Sequence, residues 1–585
     1  MSDLDCPKQA RCPGCPYGDE PYAQGLASKQ ARVAQALASY VELAPLLEPS
    51  RAADPIVGYR LRAKLVSQRS ALGLYARGSH RVVDVAGCRV LAPSVARASE
   101  ALRRLLPLPI HGADLRETSE GILLTLLTEQ PGAQARLEAV ARQLVEDGSV
   151  RSVAIALREP GEVRLLAGEP QLLAGPRLAQ HRLSADAPYA YAAHGGFVQA
   201  HAGQASYVQG AVVGHLQSAL GGLSGKAVLE LFAGNGSLAL TLARAGARVT
   251  AVEAYAPAIA LAERAALEQG LALRACAADA AAFVEAAARS GERYDAVIVN
   301  PPRRGLSAAL RRALAGLSPR ALAYLSCNPL TLARDLWQLQ GSGLSPLRVE
   351  PLDMIPWSEA VEALCWLAPA PRPLPRVLFE DERWLAVDKP PHELVAAAQS
   401  VEPGRTLLAR VRGLPSCGEA RTVESWGPGV SGVCWFAKHE DDAAPLRSAL
   451  ARAERELTVL ARGNLRKQGT ITRRAGESAT RGARYQKLRD AGRHSLMHVR
   501  ASDADETGTL RDFASIGHPV LGDARYGDAR SNQHVEHRFG LDRPFVHCQA
   551  IALTMPDGRA LRVSSELAPD LAGVLASLGS DEAAV

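Results

Sequence analysis

The sequence has no long hydrophobic run: no stretch approaches the ~18 uninterrupted apolar residues that a membrane-spanning helix needs. Its first residues, Met-Ser-Asp-Leu-Asp, lack the basic and apolar regions of a secretory signal peptide. These absences exclude a membrane or secreted protein and predict a soluble protein of the cytoplasm. In that reducing compartment, ten irregularly spaced cysteines indicate metal binding or catalysis and exclude a disulfide framework.

Aromatic residues are also scarce, at 5%, whereas the hydrophobic content of 47% supports buried cores. A length of 585 residues predicts several domains, roughly two to four. The net charge of +6 is compatible with RNA binding without being diagnostic. Residues 462–493 hold ten Lys/Arg and two acidic residues, so this stretch is either a solvated basic loop or a phosphate-contacting surface.

From about residue 205 the pattern alternates between short apolar runs and helical stretches, which predicts an α/β domain with a doubly wound parallel sheet. The apolar runs are 227–231, 248–252, 295–299 and 321–325. Four prolines within 368–375 can continue neither a helix nor a sheet ladder and predict a linker. The predicted units are 1–92, a cysteine-containing segment with short strands; 93–190, an α+β domain; 191–367, the parallel-sheet domain; 368–376, the linker; and 377–578, a mixed α+β domain.

A ligand loop follows the first strand of the parallel sheet. The sequence Val-Leu-Glu-Leu-Phe-Ala-Gly-Asn-Gly-Ser places Gly234 and Gly236 between a strand and a helix, where glycine lets the backbone approach a ligand. Glu253 ends the next strand and suits the two hydroxyls of a ribose. The missing third glycine argues against NAD. Asp279, at the following strand end, is placed to meet an adenine amino group.

The reactive residue is predicted to be Cys327, in the turn Ser-Cys-Asn-Pro between an apolar run and a helix. A helix N-terminus lowers the pKa of a thiol and favours the nucleophilic thiolate, so we expect a low pKa here. A lone cysteine is more often a small buried hydrophobe. The preceding strand ends in Asn300-Pro-Pro-Arg303, a rigid loop at the carboxyl edge where α/β sites form.

The ordered set of glycine loop, Asn-Pro-Pro-Arg turn and Ser-Cys-Asn-Pro turn resembles the S-adenosylmethionine (SAM)-dependent class I RNA (uracil-5-)-methyltransferases. The resemblance implies SAM as cofactor, contacted also by Gln199, Phe232 and Ser237, and an Asn300 amide that bonds to a uracil edge. It implies that Cys327 is the nucleophile. The segment Asp-Met-Ile-Pro…Glu resembles the family segment that carries the catalytic base, which places the base at Glu362. Ala360 stands where the family usually has a histidine.

Four cysteines near the N-terminus form a second candidate site: Cys6, Cys12, Cys15 and Cys88. Four thiolates suit zinc or a 4Fe–4S cluster, and the spacing alone does not separate the two. The ribosomal-RNA branch of the family carries this C-x5-C-x2-C pattern with a distant cysteine as a 4Fe–4S site. The resemblance therefore implies an iron–sulfur cluster with a structural or RNA-positioning role.

Residues 377–578 resemble the RluA-type pseudouridine synthases, on Val377–Pro391, Val430–Lys438 and Ile516–Gly527. The catalytic elements do not match: glycine at 427 replaces the aspartate that the family needs, Leu457 replaces a tyrosine, and 503–509 is altered. The resemblance implies a degenerate domain, retained as an RNA-binding platform or as a fused remnant.

Together these features predict a methyltransferase that modifies C5 of a uridine in RNA, most consistent with 23S rRNA. RNA is the expected partner, with no membrane and no DNA, and the oligomeric state is left open. The alternative is a non-catalytic rRNA-binding or assembly protein whose enzyme modules have decayed, a hypothesis motivated by Ala360 and the altered C-terminal domain. The target must leave its base stack to reach Cys327.

Overall fold

The computed structural model describes residues 4–159, 169–396, 403–475, 479–502 and 505–582. The basic stretch 462–493 and the altered stretch 503–509 extend beyond these residues. So does 151–167, one of the helix-like or strand-like stretches that the sequence predicts within 95–190. In the described part of the chain, no helix is long and apolar enough to cross a membrane.

The N-terminal half of the chain begins with a helix and a mostly antiparallel sheet. The elements are α1 (Tyr22–Leu37), β1 (Arg62–Gln68), β2 (Ala71–Tyr75), β3 (Val82–Asp84), α2 (Pro93–Arg104), β4 (Gly112–Thr118), β5 (Gly121–Thr128), α3 (Gln134–Glu146), β6 (Ser152–Leu157), β7 (Gln171–Ala174), β8 (Leu178–His181) and β9 (Ala190–Ala193), with 3-10 turns at Ala44–Leu46 and Pro131–Ala133. The sheet order is β3-β2-β1-β4-β5-β6-β7, and β8 pairs with β9 separately. Helices α2 and α3 pack on this sheet.

Two predicted boundaries in this region differ from the structure. Because β1 pairs with β4, one sheet crosses the predicted division between residues 92 and 93. The apolar spacing of Leu26, Val33, Leu37, Tyr40 and Val41 predicts a helix over 26–46. In the structure α1 ends at Leu37 and packs on the parallel-sheet domain. Val33 and Leu37 are buried there, so their apolar face, more than chain order, decides where the helix docks.

The parallel-sheet domain follows the predicted doubly wound pattern. Its elements are α4 (Ala202–Leu220), β10 (Ala227–Leu231), α5 (Ser237–Arg244), β11 (Arg248–Glu253), α6 (Ala256–Glu268), β12 (Leu273–Ala277), α7 (Ala280–Ser290), β13 (Ala296–Val299), α8 (Ala308–Leu317), β14 (Ala321–Ser326), α9 (Pro329–Gly341), β15 (Leu344–Leu352) and β16 (Glu362–Pro369). The sheet order is β12-β11-β10-β13-β14-β16-β15. Strand order reverses between β10 and β13, and ligands of open α/β sheets bind at the carboxyl edge of such a switch point.

Strand β16 is inserted antiparallel between β14 and β15. In the β14–β16 ladder Ser326 is the partner of Ala363. The next residue pair outward is therefore Cys327 and Glu362. The carboxyl end of β14 and the amino end of β16 are thus neighbours at the edge of the sheet where ligands bind.

The C-terminal part forms its own sheet and core. Its elements are β17 (Val377–Glu380), β18 (Trp384–Lys389), α10 (Leu407–Val411), β19 (Arg421–Thr422), β20 (Ser431–Ala437), α11 (Glu440–Leu450), β21 (Glu454–Arg462), β22 (Gln468–Ala475), β23 (Ala479–Ala491), β24 (His494–Ala501), α12 (Glu506–Ser515), α13 (Ala529–Phe539), β25 (Val546–Thr554), β26 (Ala560–Ser564) and α14 (Pro569–Glu582), with a 3-10 turn at Pro403–Arg405. The main strand order is β17-β18-β20-β25-β21-β24-β23-β22. Buried Trp384, Trp435 and Phe513 anchor the core.

Candidate active site

The glycine loop after β10 has the backbone that a close ligand approach requires. Gly234 and Gly236 adopt positive φ angles of 58° and 74°, and Phe232 adopts a φ of 61°. A Cβ atom at Gly236 would lie 2.5 Å from the Cβ of Ala262 on α6. Glycine at 236 therefore permits both the turn and the packing of α5 against α6.

Two carboxylates and a hydroxyl predicted for the cofactor lie around this loop. Glu253 Oε2 accepts from the Gly234 amide at 3.1 Å, and Glu253 Oε1 accepts from the Tyr255 amide at 2.9 Å. Asp279 caps α7 by accepting from the amides of residues 281 and 282, both at 3.0 Å. Ser237 Oγ accepts from Gln209 at 2.9 Å. The edge of the sheet brings these side chains together, and their contacts with a cofactor stay predictions.

Gln199, the remaining predicted cofactor contact, is partly buried in the segment that joins β9 to α4. Its neighbour Ala200 accepts from the amide of Leu61, so the segment is fastened to the N-terminal sheet region. This places Gln199 beside the domain that carries the cofactor loop, in a connection between two sheets.

Sequence reasoning missed Glu230, a buried carboxyl on β10 just before the glycine loop. Burial raises the pKa of Glu230 to about 8, and the nearby Glu253 charge adds to that rise. Its Oε2 atom has no hydrogen-bond partner among the described residues. The signal in the sequence was a single acidic residue inside the apolar strand Val-Leu-Glu-Leu.

The two loops that carry Asn300 and Cys327 are fastened to one another. Asn328 caps α9 by accepting from the Leu330 amide at 3.1 Å, and its Nδ2 donates to the Arg303 carbonyl at 2.9 Å. Thr331 Oγ1 donates to the same carbonyl at 3.2 Å. The Asn-Pro-Pro-Arg loop and the Ser-Cys-Asn-Pro turn therefore form one surface, on which Asn300 and Cys327 are exposed.

The prediction of a lowered pKa at Cys327 is wrong. Desolvation by the surrounding protein raises the pKa of the thiol, and the charge of Glu362 raises it further. Arg303, which hydrogen-bonds the sulfur, acts in the opposite direction without overcoming these two effects. The two predicted reactive residues are neighbours in the fold, because Cys327 directly follows and Glu362 directly precedes the last paired residues of the β14–β16 ladder.

Glu362, the predicted base, is partly buried at the start of β16. Burial raises the pKa of Glu362 to about 7, which makes the carboxyl a proton acceptor tuned near neutrality. Its competitor Glu359 is 63% exposed and pairs with Arg32 at 3.4 Å. The environments of the two glutamates therefore favour Glu362 as the reactive one.

The loop that leads to Glu362 is anchored to the N-terminal residues. Asp353 forms a buried ion pair with Lys29 and accepts from the Tyr22 hydroxyl at 2.7 Å. Trp357 takes a positive φ of 66° and donates from Nε1 to the Ile56 carbonyl at 2.7 Å. Partly buried Cys6, Cys15 and Cys88 pack on the cluster around this tryptophan.

The four N-terminal cysteines lie in one region, since Cys6, Cys15 and Cys88 pack on one apolar cluster and Cys12 and Cys88 pack on another. Burial raises the pKa of Cys15 to about 12, with Cys88 and Cys12 adding to the rise. A soft cation would relieve this cost, so the donor chemistry suits iron–sulfur or zinc. Among the residues the structure covers, however, no group of three or more His, Cys, Asp or Glu side chains is arranged to hold a metal ion.

The C-terminal domain has no carboxylate at position 427. The space beside Gly427 is filled by another residue, since a Cβ there would lie 1.5 Å from Oε2 of Glu506. Leu457 is fully buried in β21. Positions 427 and 457 thus serve packing. Burial raises the pKa of Glu506, and the positive charge of the buried Lys389 opposes this rise without overcoming it.

Sequence comparisons place the same part of the chain among methyltransferases. The methyltransferase small domain family matches residues 195–326. A solved structure of tRNA (uracil-54, C5)-methyltransferase from Pyrococcus abyssi, in complex with S-adenosyl-L-homocysteine, is similar in fold, with a TM-score of 0.50 and 22% identity over 61% of this chain and 86% of that one. The parallel-sheet domain thus has the fold of the class I SAM-dependent methyltransferases.

Curated relatives identify the family within this class of proteins. The chain is 32% identical over 371 residues to 23S rRNA (uracil(1939)-C(5))-methyltransferase RlmD of Pseudomonas fluorescens, a match covering 61% of this chain and 79% of the relative. It is 30% identical over 416 residues to an uncharacterized RNA methyltransferase of Geobacter sulfurreducens, covering 64% and 78%. The chain belongs to the RNA (uracil-C5-)-methyltransferase family.

The glycine loop yields a binding prediction. We expect Gly236→Ala to weaken SAM binding by about tenfold or more, because a non-glycine residue at positive φ costs of order 1–3 kcal/mol and the new Cβ would press on Ala262. Isothermal titration with SAM measures the change. Gly270→Ala is the matched control, since Gly270 also has positive φ, at 63°, with open space beside it. Equal affinities for both variants and the unaltered protein would contradict the role of the loop.

Proposed function

We propose that this protein transfers a methyl group from SAM to C5 of a uridine in RNA, with 23S rRNA as the substrate class. The observation that carries the proposal is the meeting of Cys327 and Glu362 at the outer end of the β14–β16 ladder. A nucleophile and a carboxyl of raised pKa beside a cofactor loop are the parts this reaction needs. Relatives named as 23S rRNA uracil-C5-methyltransferases support the choice of substrate.

The chemistry follows from the weak nucleophilicity of uracil C5. Cys327 adds its sulfur to C6 of the ring, which moves an electron pair onto C5. SAM, when bound, would supply an electrophilic methyl group to C5, and its sulfonium sulfur would keep the electron pair of the broken bond and leave as a neutral thioether. Glu362 then removes the C5 proton, and the electron pair of that C–H bond restores the ring double bond as the bond between C6 and the Cys327 sulfur breaks.

Several residues of the site have supporting roles in this proposal. Glu253 and Asp279 lie at strand ends suited to the ribose and adenine of SAM, and Gln199, Phe232 and Ser237 are the further proposed contacts of the cofactor. The exposed amide of Asn300 is placed to bond to the uracil edge. Arg303 stabilises the thiolate by its hydrogen bond to the Cys327 sulfur. In the alternative, a non-catalytic RNA-binding protein, the neighbouring thiol and carboxyl of raised pKa would have no chemical role.

We further propose that the C-terminal domain has no pseudouridine synthase activity. The aspartate of the resembling RluA-type family is replaced by Gly427, and the space beside it is occupied by Glu506. Release of tritium from C5-labelled uridine in RNA without SAM would contradict this part of the proposal.

The covalent mechanism predicts different behaviour for its two reactive residues. Cys327→Ala should abolish methyl transfer and the adduct with 5-fluorouridine RNA, because no sulfur can add to C6. Glu362→Gln should retain adduct formation on ordinary RNA but fail to release it, since the C5 proton stays in place. Denaturing gels with labelled SAM measure both. Methyl transfer by Cys327→Ala at an unchanged rate would refute the proposal.

The raised pKa of Glu362 predicts a pH dependence. A general base acts as the carboxylate, so the rate of product release from the adduct should rise as the pH increases through about 7 and fall below it. Glu362→Gln should remove this rise, whereas Glu359→Gln, at the exposed neighbouring glutamate, should retain it. Single-turnover kinetics between acidic and neutral pH make the measurement. A rise that persists in Glu362→Gln would assign the titration to another group.

We also propose that Cys6, Cys12, Cys15 and Cys88 hold a 4Fe–4S cluster when the protein is made with iron. Anaerobically purified protein should then contain iron and acid-labile sulfide and absorb visible light. Cys15→Ser should lose the iron, the sulfide and the absorption. Cys417→Ser, at a buried cysteine of the C-terminal domain, is the matched control. Metal analysis that finds zinc in their place, or no metal, would overturn the assignment.

A further inference from the structure

The C-terminal domain rests on the helix that follows the reactive cysteine. Gly540, at the end of α13, lies against Thr331 in the first turn of α9, where a Cβ at 540 would be 3.4 Å from Thr331 Cγ2. The Gly540 carbonyl accepts from Arg334 Nη1 at 2.8 Å. Thr331 in turn donates to the Arg303 carbonyl. A short run of direct contacts thus joins the C-terminal domain to the Asn-Pro-Pro-Arg loop.

Asp335, fully buried on α9, holds the end of that loop. One carboxylate oxygen accepts from the Leu306 amide and from the Tyr324 hydroxyl, both at 2.7 Å. The other accepts from Arg311 at 2.7 Å and from the neighbouring Arg334 at 2.8 Å. Asp335 therefore ties together β14, α8 and α9, the elements on either side of the Asn300 and Cys327 loops.

The two arginines of this cluster carry one positive charge more than Asp335 neutralises. Both are almost completely buried, with 2% and 3% of their side chains exposed. The C-terminal domain supplies the missing charge: Asp542 pairs with Arg311 and lies 3.5 Å from Arg334. Although burial opposes ionisation, the two arginines and His392, whose Nε2 lies 3.3 Å away, hold the pKa of Asp542 well below its usual range.

We propose that Asp542 is a positioning residue for methyl transfer, and that the C-terminal domain is thereby a built-in part of the methyltransferase site. Its carboxylate completes the charge balance of Arg311 and Arg334 and so fixes Asp335, the Leu306 amide and the start of α9. A buried arginine without its partner would draw Asp335 or water to itself. The loop would then shift relative to Cys327. This inference rests on the proposed function for its kinetic consequence.

Asp542→Asn in the full-length protein tests the inference with little change in shape. We expect the rate of adduct formation with 5-fluorouridine RNA, counted per SAM-binding site, to fall by about 10- to 100-fold because the loop is misplaced. SAM affinity should stay unchanged, since the cofactor loop lies beyond β13 on the other side of the switch point. Hydrogen exchange at the Leu306 amide should become faster.

Glu456→Gln provides a matched control. Glu456 lies within the C-terminal domain, accepts from Arg562 at 2.8 Å and faces His498 at 3.3 Å, and its side chain is 11% exposed, as is that of Asp542. The control should lose a comparable ion pair without slowing adduct formation or Leu306 exchange. Equal slowing in both variants, or an unchanged rate per site in Asp542→Asn, would overturn the inference.

A double variant distinguishes charge balance from the loss of a bond. Arg311→Met alone leaves one negative charge in excess, and Asp542→Asn alone leaves one positive charge in excess. The combination should react faster than either single variant because Arg334 and Asp335 again balance. A double variant no faster than both singles would contradict the charge argument. If the unaltered protein forms no adduct, the proposed function fails, while the Leu306 exchange still tests the positioning.

Discussion

The antiparallel pairing of β16 with β14 is the constraint on which the site depends. Five parallel strands bring the cofactor loop, the Asn300 loop and Cys327 to one edge of the sheet, but a parallel strand would deliver only its carboxyl end there. Because β16 runs the other way, its first residue, Glu362, arrives at that edge opposite Cys327. A base so placed has its position set by ladder hydrogen bonds, which hold a reacting group better than a free loop does.

Four strands of the parallel sheet, β10, β11, β13 and β14, were predictable because they are largely buried and have short apolar sequences. The glycine loop was predictable because close backbone approach requires that residue type. The raised pKa of Cys327 was not predictable, because the sequence shows the helix that follows the thiol but not the residues that surround it in the fold. A helix N-terminus contributes roughly 0.3–1 kcal/mol, and desolvation together with the Glu362 charge outweighs that amount here.

Other differences arise from contacts between residues far apart in the chain. The boundary at residue 92 was placed by composition, whereas β1 finds its partner in β4. Helix α1 carries a periodic apolar face, but the sequence does not show that this face packs against α9. Glu230 was missed because its burial on β10, just before the glycine loop, is visible only in the structure. Asp279 was identified by its strand-end position, which also makes it a helix cap.

The two proposals for the C-terminal domain, loss of its own reaction and support of the methyltransferase site, concern different faces of the domain. The region around Gly427 determines synthase chemistry, while Asp542 faces another way, towards α8 and α9. Removing one member of a buried ion pair typically costs about 3–5 kcal/mol because a charge is left without a partner. A methyltransferase domain without Asp542 would have an excess positive charge on Arg311 and Arg334, which lie near the loop of Cys327, the proposed nucleophile. On these proposals the change at Gly427 leaves the contact of Asp542 with Arg311 and Arg334 intact, whereas removal of the whole domain would break it.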